Sequence, residues 1–192
     1  MRWTEINEAR MAPLYHYMDY HKAIAVFRLD AMPAKWEHVI AGRRVKGNSF
    51  TRNVNYTFPR PVRLTMNQMA LAARHKIIPL DGERTFRDTL HADALSSEQT
   101  TVRDRRMNAA VGVDKALQEE FVVGDIAPLS RTITKIEIVD PSGQNLLSGN
   151  DMITLVEVCK AYAEKHSIEL TIHPEMLERI ERVKAYWADP DY

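Results

Sequence analysis

The chain has 192 residues, 45% of them hydrophobic, with 26 basic and 26 acidic side chains and one cysteine. That length fits one domain able to bury a core, and no apolar run approaches the ~18 residues a membrane span requires. The lone Cys159 excludes an internal disulfide and a cysteine-based metal centre. The opening MRWTEINEAR is polar and mixed in charge, unlike a signal peptide, so the expected location is the cytoplasm. In chain order, Pro13 to Met18 reads as a short strand, and Asp19 as the N-cap of a helix over Tyr20 to Ala31. Glu37 to Ala41 is a candidate strand, 42–47 a basic turn, and Ser49 to Arg52 a second short strand before a turn containing Asn53 and Asn55. Pro61 to Met66 alternates as a strand, and Asn67 caps a helix over Gln68 to His75 that leads to Ile77-Ile78. Residues 81–100 lack periodicity, and a helix is expected from Ser96 or Ser97 to about Leu117.

Two further strands, Glu119 to Val123 and Ile133 to Val139, precede a turn at Asp140-Pro141-Ser142-Gly143. A helix capped by Asn150 follows, with Ile153, Val156, Cys159 and Ala163 on its apolar face. Ile168 to Ile172 alternates as a strand, and Pro174 opens a last helix carrying Leu177, Ile180, Val183 and Trp187. The layout is α+β, without the regular alternation of a doubly wound sheet. Neither glycine-rich phosphate loop, GxGxxG or GxxxxGK[ST], occurs.

Charge is unevenly placed. Residues 41–110 hold thirteen basic and six acidic side chains, a balance of +7, and residues 111–192 hold eight and fifteen, a balance of −7. A fold pairing its own halves gives this pattern, and so does a basic face for a dinucleotide or a nucleic acid. The stretch Gln118 to Asp140 sets two adjacent carboxylates, Glu119 and Glu120, at the start of a strand. The pleat sends neighbouring side chains to opposite faces, so one of the two points into whatever the sheet encloses.

Three fragments, in this order, resemble the ADP-ribosyltransferase superfamily, in its small phage-encoded form: LYHYMDYHKAIAVFRLDAMP, GNSFTRN and QEEFVVGDIAPLSRTITKIEI. The first is similar to the opening strand and helix, whose terminal His or Arg contacts the adenosine-side ribose of NAD. The second is similar to the Ser-Thr-Ser strand at the nicotinamide pocket, and the third to the strand bearing the catalytic glutamate. The resemblance implies an α+β fold with a split antiparallel sheet core over residues 1–140. A helix-strand-helix extension over residues 141–192 would complete a single domain.

It also implies NAD as substrate, no metal, and a macromolecular acceptor of ADP-ribose, protein or nucleic acid. Glu120 takes the place of the catalytic acid, Gln118 that of the residue orienting the acceptor, and Glu119 is the alternative for either. His16, with Tyr15, Ser49, Thr51, Arg52 and Tyr56, would contact NAD. The sequence departs from the pattern in having His16 where one branch has Arg, and Arg52 where a third hydroxyl is usual. The rival from another class is a non-enzymatic accessory (anti-defence) protein gripping nucleic acid or a host protein through the basic segment 43–106. A degenerate transferase that only binds the nucleotide is a third reading.

Overall fold

The computed structural model describes residues 13–40, 43–51, 60–80, 119–139 and 148–188. Expectations falling on Gln118, Arg52, Tyr56, the turn at Asn53 and Asn55, the segment 81–117 and the turn at 140–143 lie outside them. The chain divides into two compact units, and it passes between them several times, first within β1 (Leu14–Met18) after His16.

The first unit is a run of antiparallel strands. β2 (Trp36–Ile40) pairs with the start of β3 (Arg43–Thr51), and β1 lies against its end, with Tyr15 opposite Thr51. On its other side β3 pairs with β6 (Glu119–Val123), from Gly47 opposite Val123 to Thr51 opposite Glu119. β6 in turn pairs with β5 (Ile77–Leu80), with Pro79 opposite Glu120. The expected basic turn at 42–47 is largely strand instead. Gly47 is there for contact: a Cβ at that position would stand 2.2 Å from the Val122 carbonyl oxygen and 2.7 Å from Cζ of Phe121. Helix α2 (Gln68–Ala72) is capped by Asn67, whose Oδ1 accepts from the Ala70 N–H at 3.1 Å.

The second unit holds Tyr17 and Met18 of β1, then β4 (Val62–Met66, all but its last residue), β7 (Ile133–Ile138) and β8 (Glu169–Ile172). Alternation sorts its faces. Val62, Leu64, Ile136 and Ile138 are buried. On the other side of the pleat, Arg63 makes a two-point bond to Glu137 at 2.8 and 2.9 Å. Lys135 reaches both Glu137 and Glu169.

β7 and β8 run parallel, Ile136 opposite Leu170, so the sheet is mixed rather than antiparallel throughout. Parallel neighbours need a crossover; α3 (Gly149–His166) supplies it. The C-terminal helix-strand-helix therefore contributes a strand to the sheet instead of adding a layer outside it. The cap of α3 is Ser148, two residues before the expected Asn150: its hydroxyl accepts from the Asp151 N–H and donates to the Asp151 carboxylate. Helix α4 (Pro174–Ala188) buries Met176 and Ile180, while Leu177 and Trp187 of the expected stripe are exposed.

Helix α1 (Tyr20–Leu29) starts as expected at Asp19, which accepts from the Lys22 N–H at 2.8 Å. It ends at Asp30, in the left-handed region with φ 49°. The Asp30 carboxylate accepts from the Ser130 N–H at 2.7 Å, the Ser130 hydroxyl at 2.9 Å and the Tyr162 hydroxyl, tying α1 to α3 and to the turn Leu129–Arg131. Burial pushes the Asp30 carboxyl up, but these donors and the charge of His166 outweigh it and hold it below the usual carboxylate value. Burial first, and then Asp30, push the Tyr162 hydroxyl well up.

Candidate functional site

The candidate site lies in the first unit, and strand register determines its composition. In the antiparallel ladder Phe50 stands opposite Glu120, and Glu120 opposite Pro79. With Tyr15 opposite Thr51, the next pair is His16 with Phe50, and their rings meet at 4.9 Å between centroids. Directly opposed residues project to one side of a sheet. His16, Phe50 and Glu120 therefore form one row across β1, β3 and β6, on a single face.

Glu120 is 4% exposed, as is His16. β6 has a partner on each side, so Glu120 sits in the middle of the strand run, not on a solvated edge. Buried carboxylates are uncommon in folded proteins and concentrate at functional sites. Nδ1 of His16 lies 2.8 Å from the carbonyl oxygen of Ser49. A carbonyl only accepts, so Nδ1 carries a proton and donates it to Ser49.

The same parity places the other expected contacts on the reverse face. Tyr15, Ser49 and Thr51 alternate with His16 and Phe50, so their side chains project away from the Glu120 row. Ser49 reaches His16 through its main-chain carbonyl instead of its hydroxyl. In the ladder Glu119 is opposite Thr51 and Leu80, one residue from Glu120. The structure thus brings Glu120 and His16 to one face and separates Ser49, Thr51 and Tyr15 from them.

Phe50 and Asn48, also on the Glu120 face, were not among the expected residues. Phe50 is the apolar step between the histidine and the carboxylate. Asn48 is fully buried, opposite Val122 and one pair along the ladder from Glu120. An amide inside a strand was the available signal, because strands are depleted in Asn. Among the described residues, no group of three or more His, Cys, Asp or Glu side chains is placed to hold a metal ion. No helix among them is long and apolar enough to cross a membrane.

No protein-family profile matches the chain, and neither does any curated protein. Among solved structures it is similar to DarT of Thermus sp. 2.9 in complex with carba-NAD+, at TM-score 0.46 and 10% identity, over 86% of this chain and 97% of that one. The same protein in complex with NAD+ gives TM-score 0.44 and 10% identity, over 86% and 96%.

Proposed function

We propose that this chain is an NAD-dependent enzyme of the ADP-ribosyltransferase type, which moves ADP-ribose from NAD to a macromolecular acceptor. The observation that supports the reading is the buried Glu120, fixed mid-sheet on the face that also carries His16. The nicotinamide of NAD is cationic, so its glycosidic bond is already primed to break. A carboxylate beside the ribose accepts from the 2′-hydroxyl and stabilises the oxocarbenium charge that grows at C1′. The C1′–N bond breaks with its electron pair going to the ring nitrogen. A lone pair of the acceptor then forms the new bond at C1′, and the acceptor's proton passes to solvent.

Glu120 takes the carboxylate role, and His16, held by the Ser49 carbonyl, takes the contact to a ribose hydroxyl. Gln118 stays in the proposal as the group that orients the acceptor, because it precedes Glu120 by two residues. Tyr15, Ser49 and Thr51 leave it as side-chain contacts of the nucleotide, since they occupy the reverse face. The test is release of free nicotinamide from NAD by wild type and by Glu120→Gln. Release by wild type that drops at least about a hundredfold in the variant supports the assignment, the scale expected for a group acting on developing charge. Release undiminished by the substitution removes Glu120 from the chemistry.

A second reading is favoured by Arg43, Arg44 and Lys46, all exposed near the start of β3, where among the described residues only Arg44 has an ion-pair partner, Glu37 at 3.3 Å. On that reading the chain grips a polyanion without turning anything over. Nucleic-acid affinity that falls steeply with salt, together with no nicotinamide release and no stabilisation by NAD, is its signature.

A further inference from the structure

Asn48 is 0% exposed, and neither its Nδ2 nor its Oδ1 has a hydrogen-bond partner among the described residues. Each such atom forfeits the hydrogen bonds it would make in water, and native interiors leave few of them unmet. An amide at a core strand position gives the core nothing that Leu or Val would not give better. Register sets Asn48 opposite Val122, so Glu120 is its diagonal neighbour across β3 and β6 on the same face, at about 7–8 Å between backbones. His16, Asn48 and Glu120 share that face, and the Asn48 amide has no hydrogen-bond partner among the described residues.

An amide presents a donor and an acceptor side by side, and another primary carboxamide answers both at once. A carboxylate would satisfy the Asn48 donor and repel its acceptor. Nicotinamide carries such a carboxamide on the ring whose bond to ribose breaks, so one nucleoside reaches from Glu120 to Asn48. Resting on the NAD reading above, we propose that Asn48 is a specificity-determining residue that binds the carboxamide of the nicotinamide leaving group. It forms no covalent bond. It orients the pyridinium ring while Glu120 steadies the ribose, and the low-dielectric surroundings make a mismatched ring costly because no water compensates.

The test compares NAD with its acid analogue, in which a carboxylate replaces the carboxamide, as substrates of wild type, Asn48→Leu and Asn48→Ala. Wild type should favour NAD by roughly 5- to 150-fold in kcat/KM, the range set by one unmet buried polar group. In Asn48→Leu that preference should fall toward parity while thermal stability holds or rises, since an unmet amide has been removed from the core. A merely structural role would change stability and leave the substrate ratio alone. Equal use of both dinucleotides by wild type overturns the proposal, as does an unchanged preference in Asn48→Leu. In either case, nicotinamide release that still depends on Glu120 leaves the NAD reading standing. No cleavage and no thermal stabilisation by either dinucleotide overturns both. If Asn48→Leu does not fold, Asn48→Ala and the wild-type preference decide.

Discussion

Asp30→Asn isolates the charge that ties α1 to α3. Asn adopts the left-handed region as readily as Asp, so the backbone at φ 49° is preserved. The amide oxygen can keep the Ser130 N–H and the Tyr162 hydroxyl, both of which reach Oδ1, and the amide nitrogen then meets the Ser130 hydroxyl, which can accept from it. What is lost is the charge assistance on the three bonds. Hydrogen bonds to charged groups are worth about 1.5–3 kcal/mol and neutral ones about 1, so three bonds lose about 1.5–6 kcal/mol before screening. Solvent screening at the half-exposed Asp30 sets the expected loss at the lower end, about 1.5–3 kcal/mol at pH 7. For a chain of this length that lowers Tm by roughly 3–12 °C.

The sign of the pH dependence follows from the lowered folded-state value of Asp30. Its stabilisation is present above the unfolded carboxylate value and is lost as pH falls through the folded one. The gap between wild type and Asp30→Asn should therefore be full at pH 7 and close below about pH 4. Thermal unfolding followed by circular dichroism across that range measures it. A variant within a degree of wild type at pH 7, or a gap of the same size at pH 3, would refute the reasoning.

Gly47→Ala should destabilise by about 1–3 kcal/mol or prevent folding, because the new Cβ meets the Val122 carbonyl and the Phe121 ring with no room to relax; urea unfolding reads it. Glu137→Gln should cost about 1–3 kcal/mol at neutral pH by breaking the two-point bond from Arg63, read by thermal unfolding. Arg63, first, and Lys135 hold the Glu137 carboxyl below its usual value, so this deficit too should shrink as pH falls through the acid range. Burial pushes the Cys159 thiol up to about 12, so it should ignore a disulfide reagent at pH 8 in the native protein and react once unfolded. Reaction of the native thiol at the free-cysteine rate would contradict that burial.

Local chemistry was legible in the sequence wherever a single residue determines it. Asp19 and Asn67 cap their helices because a short side-chain oxygen before an apolar-periodic stretch has few competing uses. Near α3 the run Ser148-Gly149-Asn150-Asp151 offers several such oxygens, and Ser148 wins through its reciprocal bond with Asp151. The end of β3 was harder because Gly47 reads as a turn residue, and the ring of Phe121 that requires a glycine there lies 74 positions away. The parallel β7–β8 pair was hidden for the same reason: nothing within Glu169 to Ile172 says which strand it joins.

For the candidate site the division falls along the pleat. Parity within a strand can be read locally, so Tyr15 and Tyr17 were expected on one face of β1 and His16 on the other, and Glu119 and Glu120 on opposite sides of β6. Register between strands is not local, and it decides which of those faces coincide. With Phe50 opposite Glu120, the residues joining the carboxylate are those with the parity of Phe50 on β3 and of His16 on β1. A slip of one residue between β3 and β6 would have set Ser49 beside Glu120 and turned Asn48 away. The hydroxyl pair Ser49 and Thr51 attracts attention in the sequence, yet the register gives the Glu120 face to Asn48 and Phe50. Under the proposed function, the Glu120 carboxylate, the Phe50 ring and the Asn48 amide would together hold a flat, amide-bearing group next to a sugar. Nicotinamide riboside has both parts, so the substitutions at Glu120 and Asn48 test the two ends of one ligand.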